Sequence, residues 1–145
     1  MERKVAWESY SADQLEELEA LNKRYIDFIS DNKTERRCFA ASVAQAQAAG
    51  YVSLDEAVKE GRSLKPGDKV WAGIHGKTLV LVHVGSAPMV EGLNILGAHI
   101  DSPRLDLKQN PLYESDGFAM MDTHYYGGVK KYQWVTIPLS LLWRN

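Results

Sequence analysis

The stretch LKPGDKVWAGIHGKTLVLVHV, residues 64–84, is where the spacing of apolar residues changes from helical to strand-like. It begins with a turn-forming cluster that contains proline, glycine and aspartate, residues 64–68. Two strand-like segments, Lys69–Ile74 and Lys77–Val84, then flank His75-Gly76, an arrangement typical of a β-hairpin. The sequence therefore predicts that a sheet begins at residue 69.

The residues before this stretch have the pattern of helices. Ser11 and Gln14 have the spacing of a capping box, and the apolar residues behind them recur at steps of three and four as far as Asn32. Thr34 is suited to cap a second helix, and residues 53–61 repeat the capping signature of a short third one. The predicted fold class is α/β, with N-terminal helices followed by a mixed sheet.

The amino-acid composition indicates which cellular location and which binding partners to expect. The 145 residues carry 17 basic and 19 acidic side chains, a formal net charge of -2, with no basic stripe suited to phosphates. The single cysteine, Cys38, cannot form an internal disulfide and falls in a helix-like stretch where a small buried residue would serve. The sequence has neither a signal-peptide pattern nor a run of about eighteen apolar residues. We therefore expect a cytoplasmic protein that binds neither nucleic acid nor membranes.

A third apolar strand, Leu93–Ala98, is predicted to lead directly into His99-Ile100-Asp101. Because residues two apart in a strand share a face, His99 and Asp101 are expected side by side. A carboxylate that accepts the proton of one ring nitrogen makes the other nitrogen a better metal ligand. On spacing alone, however, a structural hydrogen bond between the two side chains is the more frequent interpretation of such a short pattern.

The other histidines give weaker signals. His75 is most simply a residue of the hairpin turn, and His83 an edge or core residue of the second arm. His124 lies just before Gly127-Gly128, a pair that indicates a backbone bend more often than a ligand contact. One histidine cannot make a zinc site, since zinc usually takes about three or four protein ligands.

After Pro103 the pattern of apolar and polar residues becomes mixed, and Asn110-Pro111 indicates a break in regular secondary structure. We predict one domain segment over 1–110 and the beginning of a second over 111–145. Within the second, Trp134–Leu139 is expected to form a new strand, followed by the apolar end 141–145.

Two long strings carry a resemblance to a known family. NILGAHIDSPRLDLKQNPLYE, residues 94–114, and DTHYYGGVKKYQWVTIPL, residues 122–139, closely resemble the zinc aminopeptidase family that contains aspartyl aminopeptidase and vacuolar aminopeptidase I, and within it the bacterial branch. The shorter strings AWESYS and LKPGDKV extend the match over nearly the whole chain. The family ligands that would complete a metal site lie beyond these residues, so the resemblance covers the N-terminal portion of a member.

The resemblance implies a dinuclear zinc exopeptidase with an α/β catalytic domain interrupted by an inserted, dimerisation-type domain. His99 matches the first metal ligand, and Asp101 matches the aspartate that holds its imidazole. On this basis 1–110 would be the N-terminal segment of the catalytic domain and 111–145 the beginning of the inserted one. The substrates would be peptides that lose their N-terminal residue, with acidic residues preferred in the aspartyl branch, and the assembly a homo-oligomeric dodecamer.

The chemistry implied by the resemblance is two-metal-assisted hydrolysis, in which two Zn²⁺ ions activate a water molecule and a glutamate acts as general base. With one ligand of such a site, the 145-residue chain alone is expected to bind zinc weakly and to be inactive. The alternative hypothesis is a non-catalytic scaffold or oligomerisation module.

Overall fold

The computed structural model describes residues 5–142 and divides into two compact units, between Asp101 and Ser102. The first unit contains three helices and a three-stranded sheet, and the second contains a long hairpin and a short helix. The helices are α1 (Ala12–Asp31), α2 (Glu35–Ala48), α3 (Leu54–Lys59) and α4 (Lys131–Trp134); the strands are β1 (Val52–Ser53), β2 (Lys69–Ile74), β3 (Thr78–His83), β4 (Arg104–Ser115) and β5 (Phe118–Tyr126). The predicted α/β class is confirmed.

The helices begin where the sequence places their caps. Before α1, the main-chain N–H of Gln14 donates to Ser11 Oγ at 3.3 Å, and the N–H of Ser11 donates to Gln14 Oε1 at 2.9 Å. These two bonds satisfy donors that a helix start leaves without intrahelical partners. Thr34 Oγ1 likewise accepts from the N–H of Arg37 at the start of α2. The predicted capping box of α1 and the predicted cap of α2 are confirmed. Ser53 directly precedes α3 as predicted, but its side chain makes no capping hydrogen bond, so the capping signature there is not borne out.

The sheet of the first unit has the order β1-β2-β3, with β1 parallel and β3 antiparallel to β2. The hairpin turn is centred on His75 and Gly76, with φ values of 53° and 65°, and the N–H of Lys77 donates to Ile74 O at 3.0 Å. Positive φ at both central residues matches the twist of the two strands. The predicted hairpin and the turn role of His75 are confirmed.

The turn is attached to the start of α2 by two polar contacts. Arg36 Nη1 donates to His75 O at 2.6 Å, and Lys77 Nζ lies 2.9 Å from Glu35 Oε1. Both α2 partners come from its first turn, so the hairpin tip and the helix start are connected.

The buried core of the described residues is small. Its side chains are Cys38 and Ala46 of α2, Ala57 of α3 and Val70 of β2. The ring of Phe39 packs edge-on against Trp71 with centroids 6.5 Å apart, beside this core. Small residues on α2 and α3 let the helices approach the sheet closely, and the expected burial of Cys38 is confirmed.

The second unit is built on an antiparallel hairpin. β4 and β5 pair from Arg104↔Tyr126 to Ser115↔Phe118, with an irregular register between Leu107 and Leu112. That irregularity contains Asn110-Pro111, where proline cannot donate to the ladder. The predicted break is therefore a bulge within one strand, because the pairing resumes beyond the proline.

Two predicted strands are wrong. Residues 92–103, including the predicted strand 93–98, have no regular structure, and no described strand pairs with them. Trp134 ends α4 instead of beginning a strand, and 135–142 contain a turn, bends and irregular backbone. Composition favours extended backbone in both segments, but a strand also needs a neighbour that supplies its hydrogen bonds.

The predicted domain boundary between residues 110 and 111 stays a prediction. The last three residues of the apolar end 141–145 lie outside the described residues.

Candidate functional site

His99 and Asp101 lie in the irregular segment that precedes β4. His99 Nδ1 is 3.2 Å from Asp101 Oδ1 and 3.1 Å from the main-chain oxygen of the same residue. The side chain of His99 is 86% exposed and that of Asp101 is 35% exposed. The expected contact is present, although the alternation of a strand does not produce it.

These contacts decide which nitrogen of His99 carries the proton. Both oxygens near Nδ1 are acceptors at neutral pH, so Nδ1 must donate. In the neutral ring, Nε2 then has the free lone pair. Because the side chain is mostly exposed, Nε2 is available to a cation from solvent or from another protein segment. This is the state that a metal-binding histidine adopts, with its other N–H held by a carboxylate.

A single imidazole does not complete a zinc site. Zinc usually takes about three or four ligands in proteins, and the carboxylate of Asp101 is already turned toward Nδ1. In the part of the chain that the structure describes, no group of three or more His, Cys, Asp or Glu side chains could hold a metal ion. The geometry of His99 is therefore compatible with a single zinc ligand, and the described residues by themselves do not form a zinc site.

The remaining histidines have local structural surroundings. His75 lies in the hairpin turn described above, and His83 is an exposed residue at the end of the edge strand β3. His124 is stacked on Tyr125, with ring centroids 5.4 Å apart, and stands opposite Asp106 in the register of the second hairpin. None of them belongs to a metal-binding group within residues 5–142.

The bend predicted after His124 is confirmed, since Gly127 has a φ of 79°. A Cβ at this position would also lie 3.4 Å from Cα of Pro103, so the two backbone segments approach closely here. Both the left-handed conformation and the close approach favour glycine.

Ion pairs on one face of the second hairpin were not foreseen from the sequence. Arg104 Nε lies 2.8 Å from Asp106 Oδ1, and its guanidinium lies 4.1 Å from the centroid of the Tyr126 ring. Lys108 Nζ lies 2.8 Å from Asp122 Oδ2 on the opposite strand. The alternation of charged and apolar residues along β4 is a sequence signal for a charged face. Which residue of β5 pairs with each charge, however, depends on the register of the two strands.

Cys38 carries a potentially nucleophilic thiol, but its burial makes it unsuited to act as a nucleophile. It is 7% exposed, and Sγ donates to Asn32 O at 3.2 Å. Burial raises the pKa of the Cys38 thiol above its ordinary value, which lowers the thiolate fraction near neutral pH. Cys38 is therefore a packing residue.

Across residues 5–142, no helix has the length and apolar character needed to cross a lipid bilayer.

Most of the chain matches one family of known proteins. The sequence model of the family described as "Aminopeptidase I zinc metalloprotease (M18)" matches residues 28–144. The chain is 52% identical over 140 residues to the "Probable M18 family aminopeptidase 1" of Clostridium acetobutylicum, covering 97% of this chain and 30% of that protein. It is 40% identical over 141 residues to the protein of the same description from Thermotoga maritima.

Solved structures show the same likeness in three dimensions. The crystal structure of aminopeptidase I from Borrelia burgdorferi B31 superposes with a TM-score of 0.84 at 32% identity, covering 93% of this chain and 32% of that one. Aminopeptidase I from Clostridium acetobutylicum gives a TM-score of 0.76 at 52% identity, covering 95% of this chain and 30% of that one. The chain thus spans about 30% of the length of the curated relatives it matches.

Proposed function

Because the chain belongs to the M18 family of zinc metallopeptidases, we propose that it is the N-terminal portion of a metallo-aminopeptidase and supplies His99 as a zinc ligand. Asp101 is the positioning residue that holds the imidazole of His99. The substrate class is peptides with a free N-terminus. Activity belongs to the catalytic domain as a whole, of which this chain contributes one part.

The observation that carries the proposal is the pair of contacts at Nδ1 of His99. Two acceptors from Asp101 hold the proton on that nitrogen and direct Nε2 away from the carboxylate. The His99 side chain is 86% exposed. The exposure leaves room for a cation and for the side chains that would share it.

Zinc, when bound, would polarise the scissile carbonyl and make a bound water molecule more acidic. His99 would hold the ion through Nε2 and keep its other ring proton at Nδ1. Asp101 would accept that proton in a hydrogen bond and prevent the ring from turning. This proposal has three finer parts: a complete site with two zinc ions, a preference for acidic N-terminal residues, and a cytoplasmic homo-oligomer. The resemblance to the family supports all three.

The second candidate function is a non-catalytic scaffold or oligomerisation module. It is favoured by the absence, among residues 5–142, of any group of three potential metal ligands. The two candidate functions predict different roles for the His99 side chain, since a scaffold has no need of a free imidazole nitrogen.

A complementation experiment separates the candidates. We expect the chain alone to bind zinc weakly and to release no N-terminal residues from peptides. Joined to the part of the Clostridium acetobutylicum relative that it does not match, it should bind zinc and hydrolyse peptides. In that joined protein, His99→Ala should abolish activity, and Asp101→Ala should weaken zinc affinity by about 10- to 100-fold. The measurements are zinc content by elemental analysis and release of N-terminal residues.

His83→Ala is the matched control, since His83 is exposed at the end of an edge strand. It should leave zinc content and activity unchanged. Full activity of the joined protein with His99→Ala would contradict the ligand assignment and favour the scaffold.

A further inference from the structure

The turn of the second hairpin places an aspartate directly before a glycine. Asp116 and Gly117 lie between Ser115 of β4 and Phe118 of β5, with φ values of 52° and 80°, as a two-residue hairpin turn requires. In the whole sequence, no other glycine follows an aspartate or an asparagine. Such a pair is chemically reactive, because the main-chain nitrogen of the second residue can attack the side-chain carboxyl group of the first. Glycine puts no side chain in the way of that attack.

Two neighbouring side chains contact the reacting groups of this pair. Glu114 Oε1 accepts from the main-chain N–H of Gly117 at 2.9 Å. Ser115 Oγ donates to Asp116 Oδ2 at 3.2 Å. The carboxylate of Glu114 is therefore placed to take the proton of the attacking nitrogen, and the hydroxyl group of Ser115 to draw electron density from Cγ of Asp116. A base on the nucleophile and a hydrogen-bond donor on the electrophile together make an arrangement suited to general acid–base catalysis.

The side chains of residues 114–116 are exposed, and the surroundings of Gly117 are open. A Cβ at Gly117 would meet nothing within 4 Å among the residues that the structure describes. Water can therefore reach and leave the turn, as a reaction that releases and then consumes a water molecule requires.

We propose that Asp116 is a site of spontaneous isomerisation to isoaspartate, promoted by Glu114 and Ser115. The carboxyl group of Asp116 reacts in its protonated form. Gly117 N forms a bond to Cγ of Asp116 while its proton passes to Glu114. The bond between Cγ and the hydroxyl oxygen breaks, and the hydroxyl group takes a proton from solvent and leaves as water. Glu114 then returns its proton to solvent, and the product is a cyclic succinimide.

Hydrolysis of the succinimide completes the modification. Water that breaks the bond between Gly117 N and Cγ restores aspartate. Water that breaks the bond between Gly117 N and the main-chain carbonyl carbon of Asp116 leaves isoaspartate, whose main chain runs through Cβ and Cγ. The main chain is then longer by a methylene group, in a turn whose two residues match the twist of the strands. The pairing of Ser115 with Phe118 beside the turn is therefore weakened in the modified chain.

Ageing of the complete 145-residue chain tests this site. The folded chain is incubated in mildly acidic buffer, and isoaspartate at each position is quantified by peptide mapping with electron-transfer mass spectrometry. We expect isoaspartate to form at 116 faster than at any other aspartate, with the succinimide detected as the loss of one water molecule. Glu114→Gln keeps an acceptor for the N–H of Gly117 but cannot take up its proton, so it should slow the reaction at least about tenfold. Ser115→Ala should slow it by about threefold, because one neutral hydrogen bond is lost.

Glu60→Gln, at the exposed C-terminal end of α3, is the matched control and should leave the rate at Asp116 unchanged. Circular dichroism shows whether each variant keeps the fold of the parent chain. Absence of isoaspartate at 116, its earlier formation at another aspartate, or a rate that Glu114→Gln leaves unchanged would each overturn the proposal. Zinc takes no part in this reaction, so the outcome does not depend on the function proposed for His99.

Discussion

At the scale of single residues, the contact between His99 and Asp101 forms without the strand that was expected to produce it. Their separation of two positions is short enough for one side chain to reach the other in irregular backbone. The carboxylate and the main-chain oxygen of Asp101 both accept from Nδ1, so local chain geometry orients the ring. A local sequence pattern predicted this contact correctly because it does not depend on distant residues.

Asp68 shows how a turn residue stabilises the start of the sheet. Its carboxylate accepts from the N–H of Lys65 at 2.8 Å and from Arg62 Nη2 at 2.9 Å. The main-chain hydrogen bond from Lys65, followed by the charge of Arg62, lowers the pKa of Asp68 below its ordinary value. The ionised form is therefore the one that the folded chain prefers.

This preference predicts a dependence of stability on pH. Because the folded-state pKa of Asp68 is lower than the unfolded-state value of about 3.9, its contribution is full above that pH. It is lost as the pH falls through the lower folded-state pKa. Asp68→Ala should thus lower the free energy of unfolding at pH 7 more than at pH 2, as measured by urea denaturation. A loss of the same size at both pH values would contradict the ionic role.

At the scale of elements, the packing of α2 on the first hairpin depends on a glycine. A Cβ at position 73 would lie 2.5 Å from Cζ of Phe39, whose ring packs edge-on against Trp71. Gly73 has no unusual φ, so close packing is the reason for glycine here. The helix and the sheet approach each other because the strand has no side chain at this point.

Gly73→Ala should therefore destabilise the first unit. The added methyl group must displace the Phe39 ring, which is half-buried and can shift in part, so we expect a loss of about 1 kcal/mol in the free energy of unfolding. Gly85→Ala is the matched control, since a Cβ there meets nothing within 4 Å. Phe39→Leu should reduce the penalty of Gly73→Ala in the double variant. An additive double variant, measured by urea denaturation, would count against the steric explanation.

At the scale of the whole molecule, the described residues fall into two units, and the segment at their division carries several exposed apolar side chains. Residues 92–103 have no regular structure, and Leu96 within them is fully exposed. Segments with few buried contacts and no hydrogen-bonded backbone open most readily. The same residues contain the candidate ligand His99.

Limited proteolysis with thermolysin, which cleaves before large apolar residues, should therefore cut first at Leu93, Ile95 or Leu96. Mass spectrometry of early products should show two fragments that separate within 92–96, while β2 and β3 stay intact because their backbones are paired. Digestion in urea should remove this selectivity. Initial cleavage inside the paired strands of the native chain would contradict the structure of this segment.

Much of the first unit could be predicted from the sequence because its signals act between near neighbours. The capping box of Ser11, the cap at Thr34 and the two-residue hairpin turn each rest on contacts within a few positions. The resemblance to the family likewise depends on residue order alone, and it indicates His99 and Asp101 as candidate site residues.

Only the tertiary structure decided which strand-like segments become strands. Residues 93–98 and 134–139 have the composition of strands, yet neither pairs with another strand among the described residues. Asn110-Pro111 was interpreted as a break, and β4 nevertheless continues through it because β5 lies alongside. A helix satisfies its main-chain groups within its own segment, whereas a strand needs a partner from elsewhere in the chain, and a local pattern cannot specify whether that partner is present.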